Sequence, residues 1–83
     1  MNEEEDVEKD FLEYIVKRLV DDPDGVSVNS IEGEKSTILE LKVSEGDIGK
    51  VVGKHGRIAM ALRTVLSAAA AKSKKRVILE VID

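Results

Sequence analysis

Gly53-Lys54-His55-Gly56 places two glycines three positions apart around a lysine and the only histidine of the chain, with Lys50, Arg57 and Arg63 nearby in sequence. Glycine has no Cβ, so such a segment turns sharply and brings backbone N–H groups close to a ligand. The second glycine precedes an apolar pattern of helical spacing. Unpaired N–H groups and the positive dipole end of a helix start favour an anion. Lys54 and Arg57 add full charges beside that start. The chemistry open to this spacing is a backbone clamp on phosphate. A glycine pair also occurs in ordinary turns between helices, so the specificity lies in the flanking run from Ile48 to Ile58.

Other chemistries find little support. The chain has no cysteine, hence no disulfide framework and no thiolate metal site. His55 alone cannot build a zinc site, no Ser/His/Asp or Cys/His set is available, and Asp21-Asp22 fall in a turn with no pocket implied. Neither G-x-x-x-x-G-K-[ST] nor G-x-G-x-x-G occurs, which leaves mononucleotide binding a minor reading. The expectation is a protein that is not an enzyme and needs no metal, cofactor or small-molecule substrate. The first ten residues are acidic, unlike a secretory leader, and no apolar run approaches a membrane span. A soluble, cytoplasmic protein without a membrane partner is expected.

The formal net charge of −4 conceals a division. Residues 1–47 carry 5 Lys+Arg and 15 Asp+Glu, a balance of −10, whereas residues 48–83 carry 8 and 2, a balance of +6; the two sum to −4. Phosphate binding depends on local positive potential, and the basic half holds the clamp.

The elements that must position the clamp follow from apolar periodicity. From Asp6 to Val20, Val7, Phe11, Ile15 and Leu19 recur every fourth residue, widened by Leu12 and Val16, as an amphipathic helix requires. Phe11 and Tyr14 are expected in its core-facing stripe, and Glu13 with Lys17 outside it. Asp22-Pro23-Asp24-Gly25 ends the helix in a type I turn. Val26 to Asn29 and Ser36 to Val43 alternate as an antiparallel strand pair around Glu32-Gly33-Glu34, with Leu39, Leu41 and Val43 inward. Ser44 and Asp47 have capping-box spacing ahead of a short helix from Ile48 to Val52. A second helix, Arg57 to Lys72, would seat Ile58, Leu62, Val65 and Ala69 on the sheet, leaving Ala59, Met60, Ala68, Ala70 and Ala71 outward. Lys75 to Ile82 closes as a strand with Val77, Leu79 and Val81 inward. The fold class is α+β, order α-β-β-α-α-β: one two-layer domain over residues 6–83, three helices on one face of a three-stranded sheet, with an acidic N-terminus, residues 1–5, lacking order.

Ile48-Gly49-Lys50-Val51-Val52-Gly53-Lys54-His55-Gly56-Arg57-Ile58 resembles the signature of the KH domain, and the element order resembles its type II arrangement from about Val7 to Ile82. Pro23, the segment Asp47 to Gly53 and the Lys/Arg-rich stretch Lys72 to Arg76 resemble the KhpA group of small stand-alone bacterial KH proteins. The resemblance implies single-stranded RNA held without catalysis. Gly53, Lys54, His55 and Gly56 would form the clamp; Ile48, Val52 and Ile58 the apolar floor; Lys50 and Arg57 the rim. Ordinary core packing also suits the three floor residues, and His55 also suits an exposed loop without a role. The resemblance further implies a homodimer, or a heterodimer with a KhpB-like KH partner, acting as an RNA chaperone that affects translation, cell elongation and envelope growth. The alternative is a KH fold that binds proteins and not RNA, through the alanine-rich face of the second long helix and the acidic first helix. With aromatics only at Phe11 and Tyr14, the groove lacks a stacking platform, so weak, salt-dependent and loosely selective binding is expected.

Overall fold

The computed structural model describes residues 3–71 and 74–82. Helix α1 spans Glu3–Leu19, strand β1 Ser27–Glu32, β2 Ser36–Lys42, helix α2 Ile48–Val52, α3 Arg57–Ala69 and β3 Arg76–Ile82. The sheet order is β1-β2-β3, with β1 antiparallel and β3 parallel to the central β2. A parallel pair needs a long crossover. Here that crossover carries α2, the Gly53 to Gly56 loop and α3, so the segment expected to hold phosphate is also the connection that closes the sheet. The expected class and element order hold.

The sheet buries one face. Val28, Leu41 and Val81 lie in one cross-strand row and Ser30, Leu39 and Leu79 in the next. With α1, α2 and α3 these rows enclose the core, in which Leu12, Val16, Leu39, Leu41, Val51 and Leu66 are the largest fully buried side chains. Each such burial contributes roughly 1.5–3 kcal/mol. Ile31, Ile38 and Ile78 form a row on the opposite face, where Ile31 and Ile78 are exposed.

Several local expectations are corrected. Helix α1 begins at Glu3, because nothing in the run of good helix formers ahead of Asp6 interrupts it. Of residues 1–5, positions 1 and 2 lie outside the described residues and positions 3–5 form part of α1. Its buried stripe is Leu12 and Val16, continued by Val20 just beyond its end, one position displaced from the Val7-Phe11-Ile15-Leu19 series; Phe11 is 37% exposed and Tyr14 61%. Tyr14 instead lies under the Arg18 guanidinium, 5.0 Å from ring centroid to Cζ, and its hydroxyl accepts a hydrogen bond from Arg18 Nη2 at 3.0 Å. Helix α3 ends at Ala69 and turns in Ala59, Leu62 and Leu66, followed by Ala70 beyond its end, leaving Val65 44% and Met60 64% exposed. Both helices contain more apolar positions than one stripe can bury, and the fully inward set is the one that meets the sheet. Strand β1 runs on to Glu32 because Ile31 and Glu32 pair with Ile38 and Thr37.

The turn at Asp22 to Gly25 forms as expected: the Gly25 amide donates to the Asp22 carbonyl at 3.1 Å within a 3₁₀ turn. The Glu13–Lys17 ion pair also forms, at 3.0 Å. The capping box does not. Ser44 makes no side-chain cap, and its hydroxyl donates to the Asp22 carboxylate.

Candidate functional site

Helix α2 ends where Gly53 takes φ +77° and ψ 172°, and α3 begins after Gly56 at φ +73°. Between them His55 also lies in the left-handed region, at φ +58°. The Gly53 amide closes α2 by donating to Gly49 at 2.9 Å, and the Gly56 amide donates to Gly53 at 3.1 Å. Among the described residues, the amides of Lys54 and His55 donate to no backbone carbonyl outside their own turn. No side chain caps α3 and no acidic residue stands in its first turn. The loop therefore presents backbone donors at the positive end of a 13-residue helix, with exposed Lys54, His55 and Arg57 around it.

The expected site residues take different places around this loop. Ile48 and Ile58 are half-buried and pack against the core, while Val52 is half-buried at the last position of α2. Gly53 belongs to the same packing, since a Cβ there would stand 2.6 Å from Ile58 Cγ1. Ile48 also lines a depression of about 560 Å³ together with Lys42, Val43 and Glu45. Lys50 is already engaged: its Nζ lies 3.1 Å from Asp21 Oδ2 and 3.6 Å from Asp47 Oδ1. Arg63 is directed to β3, where its Nη2 donates to the Leu79 carbonyl at 3.3 Å. Of the basic stretch after α3, Lys72 lies outside the described residues, and Lys75 faces Glu32 at 3.7 Å.

Asp47 is the residue that spacing alone misassigned. It is 3% exposed. Its Oδ1 accepts the Asp21 amide at 3.1 Å and its Oδ2 the Asp22 amide at 3.0 Å. The Asp21 amide is the main cause that holds the Asp47 carboxyl below its ordinary value, aided by the Asp22 amide and Lys50 and opposed by burial. Asp21 likewise raises the Lys50 ammonium above its ordinary value, by hydrogen bond and then by charge. No local pattern marks these contacts, because the amides lie 25 and 26 positions away.

Among the described residues there is no group of His, Cys, Asp or Glu that could hold a metal ion, and no helix long and apolar enough to cross a membrane. A helix, a glycine-bounded loop and a second helix, set between two parallel strands of a three-stranded sheet, define a KH domain. The sequence model of the family "KhpA/KhpB, KH domain" matches residues 9–81, and the chain belongs to that family. A protein named RNA-binding protein KhpA in Borreliella burgdorferi is 59% identical over 76 residues, 92% of this chain and 93% of that one. Its namesake in Clostridium acetobutylicum is 60% identical over 74 residues, covering 89% and 99%, and that in Aquifex aeolicus 52% over 75 residues, covering 90% and 95%. No solved structure is a significant match.

Proposed function

We propose that this chain binds single-stranded RNA, with phosphates against the backbone of Gly53 to Gly56 and bases over Ile48, Val52 and Ile58. The observation that carries the reading is that, among the described residues, the Lys54 and His55 amides donate to no backbone carbonyl outside their own turn, at the start of α3 beside exposed cations. The names of its relatives support the same ligand. Arg57 and Lys54 supply the charge at the rim, whereas Lys50 is engaged by Asp21 and Asp47. Binding of this kind suits an RNA chaperone or post-transcriptional regulator in the cytoplasm and requires no catalytic step. The test is titration of a fluorescent single-stranded RNA with the native protein and with the double variant Lys54→Asp, His55→Asp, folding being checked by circular dichroism. Loss of binding with the fold intact supports the clamp. Unchanged binding, or none by the native protein at low salt, refutes it.

The same reading includes a dimer, with a second copy or a KhpB-like KH protein. Its support is the outer face of α3, where Met60 and Val65 stand exposed beside Ala61 and Ala68. Ala59 and Ala70, expected on that face, are buried and take no part. Sedimentation of the native protein and of Val65→Asp tests it: the variant should shift to the mass of one chain.

A further inference from the structure

Helix α2 has five residues, too few to hold a helix by itself, yet it carries the clamp at its end. Its placement must come from outside. Val51, fully buried, fixes one face. The other fixed point is Asp47, immediately before the helix, whose carboxylate takes the amides of Asp21 and Asp22, where the chain leaves α1 and enters the turn that ends at Gly25. Lys50, one turn on, reaches back to Asp47 and across to Asp21. From Asp47 to Gly53 the chain rises only about 9 Å along the helix axis, so an error in direction at Asp47 passes directly to the loop.

We propose that Asp47 is the positioning residue of the clamp, locking α2 to the turn after α1 so that the Lys54 and His55 amides keep one orientation, and that Lys50 serves this anchor and not phosphate. The proposal rests on the reading of the loop as the RNA site. Asp47 touches no ligand in it. A carboxylate that only stabilised the turn would have no bearing on residues 53–56, and the Ser44–Asp22 hydrogen bond already ties that turn to the chain after β2.

The experiment compares Asp47→Asn, Lys50→Met and Ser44→Ala with the native protein. Asp47→Asn keeps the shape and one acceptor oxygen; Ser44→Ala disturbs the same turn without touching α2. Amide hydrogen exchange of the free proteins and titration of a fluorescent eight-nucleotide oligouridylate are read in parallel. In Asp47→Asn, exchange of residues 52–57 should accelerate and RNA affinity fall, each on the order of tenfold, while the central amides of β2 keep their protection. In Lys50→Met affinity should fall with the salt slope unchanged, and in Ser44→Ala neither readout should move. Exchange in Asp47→Asn that is unchanged at 52–57, or raised equally throughout the sheet, overturns the anchor. A salt slope reduced by one phosphate contact in Lys50→Met, about 0.7 for a single strand, overturns the role given to Lys50. If the native protein binds no RNA, the RNA reading fails on that arm, and the exchange arm still decides whether Asp47 fixes the loop.

Discussion

Gly53 and Gly56 look alike in the motif, but the backbone asks different things of them. A Cβ at Gly53 would meet Ile58 Cγ1 at 2.6 Å and the Ile58 amide nitrogen at 2.9 Å, at φ +77°. Backbone cannot move aside as a flexible side chain can. Gly53→Ala should therefore combine backbone strain with overpacking and cost about 2–4 kcal/mol. At Gly56 nothing lies within 4 Å, and the positive φ alone is at stake. Gly56→Ala should cost about 1–2 kcal/mol. Urea unfolding of the two variants checks the order, and equal costs would contradict the packing of Gly53 on Ile58. His55 lies in the same left-handed region without being glycine, a conformation in which histidine is enriched several-fold among side chains. Strain of this kind persists where surrounding structure holds it, here between two glycines that set the turn.

At the scale of elements, the sequence specified which segments form and in what order, because 3.6-residue and two-residue periodicities differ and Pro23, Gly33 and Gly53 punctuate them. The glycine-bounded loop between α2 and α3 was legible for the same reason, being local. The facing of α1 and α3 was not, since each carries two adjacent apolar series and only the packing of α1 on β1 and of α3 on β3 selects one. A direct check follows for α3. Leu66→Ala should cost about 2–5 kcal/mol, and Val65→Ala should stay within about 0.5 kcal/mol in the monomer, by urea midpoints. The Asp47 contact was illegible because its partners are remote in sequence. It carries a pH signature: a carboxyl lowered on folding adds stability that is complete above its unfolded value, 3.8, and is lost as pH falls through the lower folded value. Lys50, raised on folding, adds stability that is complete below 10.5 and is lost as pH rises past the folded value. Thermal midpoints of the native protein should thus fall below about pH 3.8 more steeply than those of Asp47→Asn, and parallel curves would show that the carboxylate is not stabilised by folding.

Across the whole molecule the net charge of −4 opposes RNA at a distance, while the exposed cations of the proposed site, Lys54 and Arg57, stand at one loop. At physiological salt the screening length is about 8 Å, so a phosphate at the clamp senses Lys54 and Arg57 more than the acidic residues of remote elements. Salt dependence then counts contacts. Among the described residues, with Lys50 occupied by Asp21 and Asp47, Lys54 and Arg57 are the full charges left at the loop for phosphate, which gives a slope of log K against log salt of about −1.4 for a single strand. Between 50 and 200 mM salt that amounts to an affinity loss of about sevenfold. A dimer whose two clamps engage one strand doubles the contacts, to a slope of about −2.8, and gains avidity without any new residue. The slope thus reports how many domains hold the RNA. Fluorescence anisotropy with a long oligouridylate should give the steeper value for the native protein and the shallower one for Val65→Asp, whose charge opposes pairing along α3. Shallow slopes for both, with the native protein sedimenting as a dimer, would mean that the clamps face apart and that each domain binds its own RNA.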